Sequence, residues 1–168
     1  LHLRCEVSYH ATLELFEEYQ DDENVRLVSL MDHTPGQRQF TRMDKYAEYY
    51  QGKYGMTDEQ LERFMEEKLI NQQRCSAPNR AAIVDRCRDR GIPMASHDDA
   101  RPEHVDEALE NGVTVAEFPT TVEAAKIAHD AGLKVLMGAP NLVLGGSHSG
   151  NVSAMELGQA GVLDIVSS

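Results

Sequence analysis

Three short apolar runs each end in a residue that can hold a metal ion or move a proton: Leu3-Arg4-Cys5-Glu6, Leu30-Met31-Asp32-His33 and Ile92-Pro93-Met94-Ala95-Ser96-His97-Asp98-Asp99. Imidazole and carboxylate together suit zinc, manganese or iron. A metal with an open position brings the pKa of bound water near neutrality and makes it a nucleophile. One strand-end histidine alone is more often a hydrogen-bonded structural residue. Glu6, His33 and His97, at equivalent ends of three apolar runs, favour a shared metal site instead. Asp98, directly after His97, is the candidate for orienting an imidazole or shuttling a proton. Asp99 reads as the N-cap of a helix opening near Pro102. Glu117 is open between a site residue and a strand-end charge.

The stretch Gly145-Gly146-Ser147-His148-Ser149-Gly150-Asn151 is the candidate phosphate loop. Its glycines let the backbone approach an anion, and the helix expected after it offers N–H groups at a positive dipole end. Ser147, His148, Ser149 and Asn151 add side-chain donors. Arg38, just after Gly36, is a further candidate phosphate contact. The plainer alternative is an ordinary flexible loop, because Gly-Gly and Ser-Gly pairs are common in turns. Nothing in the chain has the form of a Ser or Cys nucleophile elbow.

These residues need elements to aim them, and the patterning supplies short strands alternating with short helices. Strands are expected at Leu1–Val7, Val25–Met31, Ile92–Ser96, Val113–Phe118, Lys134–Met137 and Val162–Ser168. Helices are expected at Thr12–Gln20, Asp58–Gln73, Asn79–Arg90, Pro102–Asn111, Val122–Ala131 and Val152–Ala160. Gly91, Gly112, Gly132 and Gly161 stop four of them. Thr57 with Gln60, and Thr120 with Glu123, have capping-box spacing. Residues 37–74 differ in character, rich in Tyr, Gln, Glu and Lys. They read as a helical insertion, either a lid or a plain connector. Alternating strands and helices imply a parallel α/β sheet. Polar residues at nearly every strand's C-terminal tip favour a partial (β/α)₈ TIM-type barrel, about six of eight units. A doubly wound sheet would gather its chemistry at one switch point, and no GxGxxG follows the first strand.

The 168 residues allow one domain, 1–168, and carry 28 acidic against 16 basic side chains, a net charge of −12. Such a surface repels nucleic acid and anionic lipid at long range, yet a local cluster of cations can still take a small anionic ligand. No apolar run approaches the ~18 residues of a membrane span. Cys5, Cys75 and Cys87 form no CxxC pair, which suggests free thiols in a reducing cytoplasm.

The segments His97-Asp98-Asp99, Glu117-Phe118-Pro119-Thr120-Thr121, Leu136-Met137-Gly138-Ala139-Pro140-Asn141 and Gly145 to Asn151 together resemble the PhnM family of the bacterial phosphonate (carbon–phosphorus lyase) pathway. Leu1 to Glu6 and Met31 to Phe40 are similar to that family too, so the resemblance covers nearly the whole chain. The family belongs to the amidohydrolase superfamily, metal-dependent hydrolases on a distorted (β/α)₈ barrel. The resemblance implies hydrolysis of α-D-ribose 1-methylphosphonate 5-triphosphate to the 5-phosphate and diphosphate. It implies a divalent metal cofactor, zinc before manganese or iron, binuclear in the complete enzyme. By the resemblance Glu6 bridges two metals and His33 and His97 are ligands. Gly146, Ser147, His148, Ser149 and Asn151, with Asn141 before them, hold the phosphorylated substrate. The family's His-x-His-like element would fall upstream of Leu1 and its last-strand aspartate after Ser168. The chain is thus expected to be a piece of a larger barrel, inactive alone, and a homo-oligomer is compatible with it. The rival readings are a deaminase or amidase of the same superfamily and a non-catalytic barrel fragment.

Overall fold

Successive side chains of a strand point to opposite faces, and that alternation decides which residues meet the core and which meet the site. The computed structural model describes residues 1–38, 43–146 and 151–167. Along these the chain runs β1 (His2–Glu6), α1 (Thr12–Glu17), β2 (Leu27–Met31), α2 (Met43–Tyr54), α3 (Asp58–Arg90), β3 (Met94–His97) and α4 (Pro102–Glu110). It continues through β4 (Val115–Glu117), α5 (Val122–Asp130), β5 (Lys134–Gly138), α6 (Ala139–Leu144), α7 (Ala154–Gln159) and β6 (Ile165–Ser167).

All pairings are parallel and the six strands lie in chain order, β1-β2-β3-β4-β5-β6. The order never reverses, so the sheet has no topological switch point and is not doubly wound. One core lies on the helix-covered face. Cys5, Val28, Leu30, Ala116 and Val135 from the strands, with Val7 just after β1, meet Ile83, Val105, Ala124 and Leu157 from the helices there. The alternate residues of the same strands are polar: His2, Arg4 and Glu6 on β1, Ser29 on β2, His97 on β3, Glu117 on β4. Helices on one face, strictly sequential parallel strands and a polar second face make an α/β fold consistent with part of a TIM-type barrel.

α3 departs from expectation. It is one helix of 33 residues, with Pro78 inside it, rather than two helices either side of the proline. An interior proline removes a helical hydrogen bond and crowds the preceding turn. Packing on both sides of Pro78 outweighs that cost. Leu61 is buried against Tyr46 in a small core of its own, while Ile83, Val84 and Cys87 enter the main one. The Thr57–Gln60 capping box opens α3, and Gly91 closes it at φ 65°, where a side chain would be strained.

Three further details differ from the sequence reading. The cap of α5 is Thr121, whose hydroxyl accepts from the Ala124 N–H at 3.1 Å, while the Thr120 N–H donates to the Asp99 carbonyl at 2.9 Å. α4 starts after Arg101 without a side-chain cap, because the Asp99 carboxylate is committed elsewhere, to Arg38 and Ser96. α6, with Pro140 in its first turn, fills a stretch for which the sequence reading expected no element. No helix among the described residues is long and apolar enough to cross a membrane.

The thiols of Cys5 and Cys87 are buried and unpaired with one another, and burial pushes them up to about 12 and about 11. Neither is a ready nucleophile.

His104, on α4, is buried and accepts the Ala100 N–H on Nδ1 at 3.1 Å. Burial, then the nearby charges of Arg38 and Arg101, lower it to about 4, against the smaller opposing pull of Glu107 and Glu103. The folded protein therefore keeps His104 neutral where the unfolded chain protonates it, near pH 6.5. Between pH 6.5 and 4 the unfolded state binds the extra proton, so this contribution is full above that window and lost as pH falls through it. Unfolding by urea at pH 7.5 and pH 4.5 should show wild type losing up to about 3 kcal/mol more than His104→Gln.

Candidate metal centre

The strand ends bring their polar residues to one rim. β3 and β4 are in register with His97 opposite Glu117, and each is followed by a residue in the left-handed region, Asp98 at φ 56° and Phe118 at φ 55°. The Asp98 N–H donates to the Glu117 carbonyl at 3.0 Å, and the Phe118 N–H to that of Leu136 at 2.8 Å. These turns carry the Asp98 carboxylate back toward the neighbouring strand tips. The Phe118 ring meets the His97 imidazole edge-on, centroids 5.2 Å apart.

Each histidine is oriented through Nδ1 by a carboxylate. His33 Nδ1 donates to Glu6 Oε2 at 2.6 Å, and the His33 backbone N–H donates to Oε1 of the same group at 2.9 Å. Ser8 completes Glu6 with a hydroxyl on Oε1 at 2.7 Å. His97 Nδ1 donates to Glu117 Oε2 at 2.7 Å. Ser29 also donates to that oxygen, at 2.8 Å, and accepts from His2 Nε2 at 2.6 Å. Such pairing fixes each ring and leaves Nε2 for a ligand.

Between the two Nε2 atoms lies Asp98. Its Oδ2 is buried and makes no hydrogen bond among the described residues. It sits 3.4 Å from His33 Nε2 and 3.5 Å from His97 Nε2. Donor atoms of His33, His97 and Asp98 all lie within 4.8 Å of one another. This buried carboxylate oxygen faces only the two imidazoles, and a divalent cation between them would satisfy all three groups in place of a proton on His33 Nε2. Two ligands each ~2.1 Å from a tetrahedral zinc are about 3.4 Å apart, which matches the two Asp98–histidine separations, and with all three donors within 4.8 Å of one another the set can close on such an ion. Arg4 donates to His97 Nε2 at 3.2 Å and would turn aside for it, which its exposed position allows.

The charges follow the contacts. Burial opposes charge on Glu6, but the bonds and charge of His33, with help from Ser8, hold its carboxyl below the usual range. Burial opposes charge on Glu117 likewise, and His97 and Ser29 outweigh it. His33 is half-buried, which disfavours the imidazolium, yet the carboxylates of Asp98 and Glu6 on either side push it up to about 10.

These groups open into a cavity of about 550 Å³. Asn141, Gly146 and Asn151 line it together with Glu6, His33, His97 and Asp98, so seven expected site residues border one cavity. Ser147, His148 and Ser149 lie outside the described residues. The helix after the loop is short, and its N-terminus is already engaged. Ser153 and Glu156 form a capping box, and the Ala154 N–H donates to Asn141 Oδ1 at 2.8 Å. Tyr49, Tyr50 and Lys68 reach the same cavity from α2 and α3, so residues 37–74 contribute to its wall rather than only connecting strands.

Arg38 is not at this cavity. It is buried on the helix-covered side, where its guanidinium pairs with Asp99 and Glu107. With those two carboxylates engaged, it is not presented to a phosphate in the central cavity. Among the residues at the site that sequence reasoning did not assign are Arg4 and, left open there, Glu117. Arg4 stands two positions before Glu6, the spacing that puts both on one strand face. Glu117 carried only its own strand-end position as a signal.

No family model matches the chain, and no solved structure does. Over all of its 168 residues the chain is 58% identical to the alpha-D-ribose 1-methylphosphonate 5-triphosphate diphosphatase of Escherichia coli (strain K12), and it spans 44% of that protein's length.

Proposed function

We propose that the chain carries part of the active site of a metal-dependent diphosphatase that hydrolyses α-D-ribose 1-methylphosphonate 5-triphosphate to the 5-phosphate and diphosphate. The observation that carries this reading is the buried Asp98 oxygen set between two carboxylate-oriented histidines, taken with the relative's activity. The deaminase and amidase alternatives have no comparable support.

His33, His97 and Asp98 would hold a divalent ion, zinc by donor type, with manganese or iron as alternatives. Bound there, such an ion supplies a Lewis acid and an activated water at neutral pH. Glu6 and Glu117 hold the two Nδ1–H groups, so that Nε2 of each ring is the atom turned toward the ion. Glu6 also retains lone pairs through which a second ion would attach in a binuclear site. Asp98 has the further task of receiving the proton that the attacking water gives up. Asn141, Gly146 and Asn151, with Ser147, His148 and Ser149, would hold the phosphorylated end of the substrate. Arg4 and Lys68 supply positive charge at the cavity wall, against an overall charge of −12. Water attack on a phosphoanhydride needs positioned cations more than a covalent nucleophile.

Removing the acceptor behind His97 tests the orienting role. Glu117→Ala should weaken zinc binding about 10–100-fold, measured by chelator competition. For the activity itself, diphosphate release by the full-length protein should stop after chelation and return on adding zinc. Release that continues unchanged without metal would sink the reading.

A further inference from the structure

Asp98 occupies a backbone conformation that a side-chain-bearing residue adopts at a cost, φ 56°. Something must hold it there. The residues on either side of it are both bound to Arg38: the guanidinium donates to the His97 carbonyl at 3.4 Å and to Asp99 Oδ1. Arg38 is buried, and its other terminal nitrogen pairs with Glu107 on α4. Ser96 donates to the second Asp99 oxygen, and the Thr120 N–H to the Asp99 carbonyl. The loop that carries Arg38 is itself fixed. Asp32 Oδ1 accepts from the Thr34 N–H at 3.1 Å and from the Thr34 hydroxyl at 2.6 Å, and Asp32 Oδ2 accepts from Ser76 on α3 at 3.0 Å. His33 lies in that same loop.

We propose that Arg38 is a positioning residue for the metal centre. From the helix-covered side of the sheet it pins His97 and Asp99, and so holds the intervening Asp98 turned with its carboxylate between His33 and His97. One loop, Asp32 to Arg38, then sets two of the three donors: His33 directly, and Asp98 through the guanidinium. The planar fork of arginine suits this task because Nη1 reaches the His97 carbonyl and the Asp99 carboxylate while Nη2 is anchored on Glu107. Its metal-related part rests on the function proposed above; the backbone part stands without it.

The test compares Arg38→Gln, Arg38→Lys and Arg80→Gln in the full-length protein. Arg80 pairs with Glu107 in the same cluster and acts on Asp99 only through space by its charge, with no hydrogen bond or ion pair to residues 97–99 among the described residues. In metal-free protein, amide exchange at the Asp98 N–H should quicken at least tenfold in Arg38→Gln and stay within about twofold of wild type in Arg80→Gln. With zinc, Arg38→Gln should lose at least tenfold in affinity by chelator competition, while Arg38→Lys, which keeps one donor, recovers part of the loss. If Arg38→Gln fails to fold, Arg38→Lys against Arg80→Gln decides by the same two readouts. Wild-type exchange and affinity in the Arg38 variants, or equal losses in Arg80→Gln, would overturn the proposal. Wild type that takes up no zinc overturns the metal reading alone, and the exchange data still decide whether Arg38 holds the turn.

Discussion

Asp98→Asn should lower diphosphate release on the order of 10³-fold, more than the roughly 10–100-fold cost of losing a hydrogen-bonding neighbour of a metal ligand. The substitution keeps shape and volume. Asparagine also tolerates the left-handed conformation found at φ 56°, so the turn after β3 should survive. What is lost is the charged oxygen that lies 3.4 Å and 3.5 Å from the two Nε2 atoms. The amide's neutral oxygen is a poorer ligand, and it cannot accept a proton at neutral pH. Zinc content by elemental analysis should fall together with activity, while the thermal midpoint of the metal-free protein changes little. A variant that keeps full zinc and full activity would remove Asp98 from the site.

Ile83→Ala should have the largest effect on stability, costing about 3 kcal/mol within the 2–5 kcal/mol range for large-to-alanine changes in a core. Ile83 is fully buried in the half of α3 beyond Pro78. Alanine is the better helix former, so the loss measures packing on the sheet and not helix propensity. Ile70 lies on the same helix but is exposed at 54%, and Ile70→Ala should stay within about 0.5 kcal/mol of wild type. Urea unfolding of the two variants reads the difference. Equal effects would mean that α3 does not dock through its second half.

The strands were legible because each is a short apolar run bounded by polar turns or a helix-stopping glycine, as at Gly91 before β3 and Gly132 before β5. Period-two alternation also makes sense of Arg4 beside Glu6 once β1 is known to be a strand. Local rules failed where long-range packing overrode them. Pro78 reads as a helix boundary, yet the burial of Leu61 on one side and Ile83 on the other carries α3 through it. Asp99 has the spacing of an N-cap, but its partner Arg38 lies 61 positions away, and nothing local announces such a pair. The same holds for Glu117 and His97, which become neighbours only through the parallel register of β3 and β4. The left-handed turn at Asp98 has no signature in its residue type beyond a tolerance that aspartate shares with asparagine.

Anomalous diffraction from crystals of the full-length protein grown with zinc locates the ion. The expected peak lies about 2.0–2.2 Å from His33 Nε2, His97 Nε2 and Asp98 Oδ2, with Glu6 and Glu117 still on the two Nδ1 atoms. A zinc peak elsewhere, or none at saturating metal, would contradict this metal site.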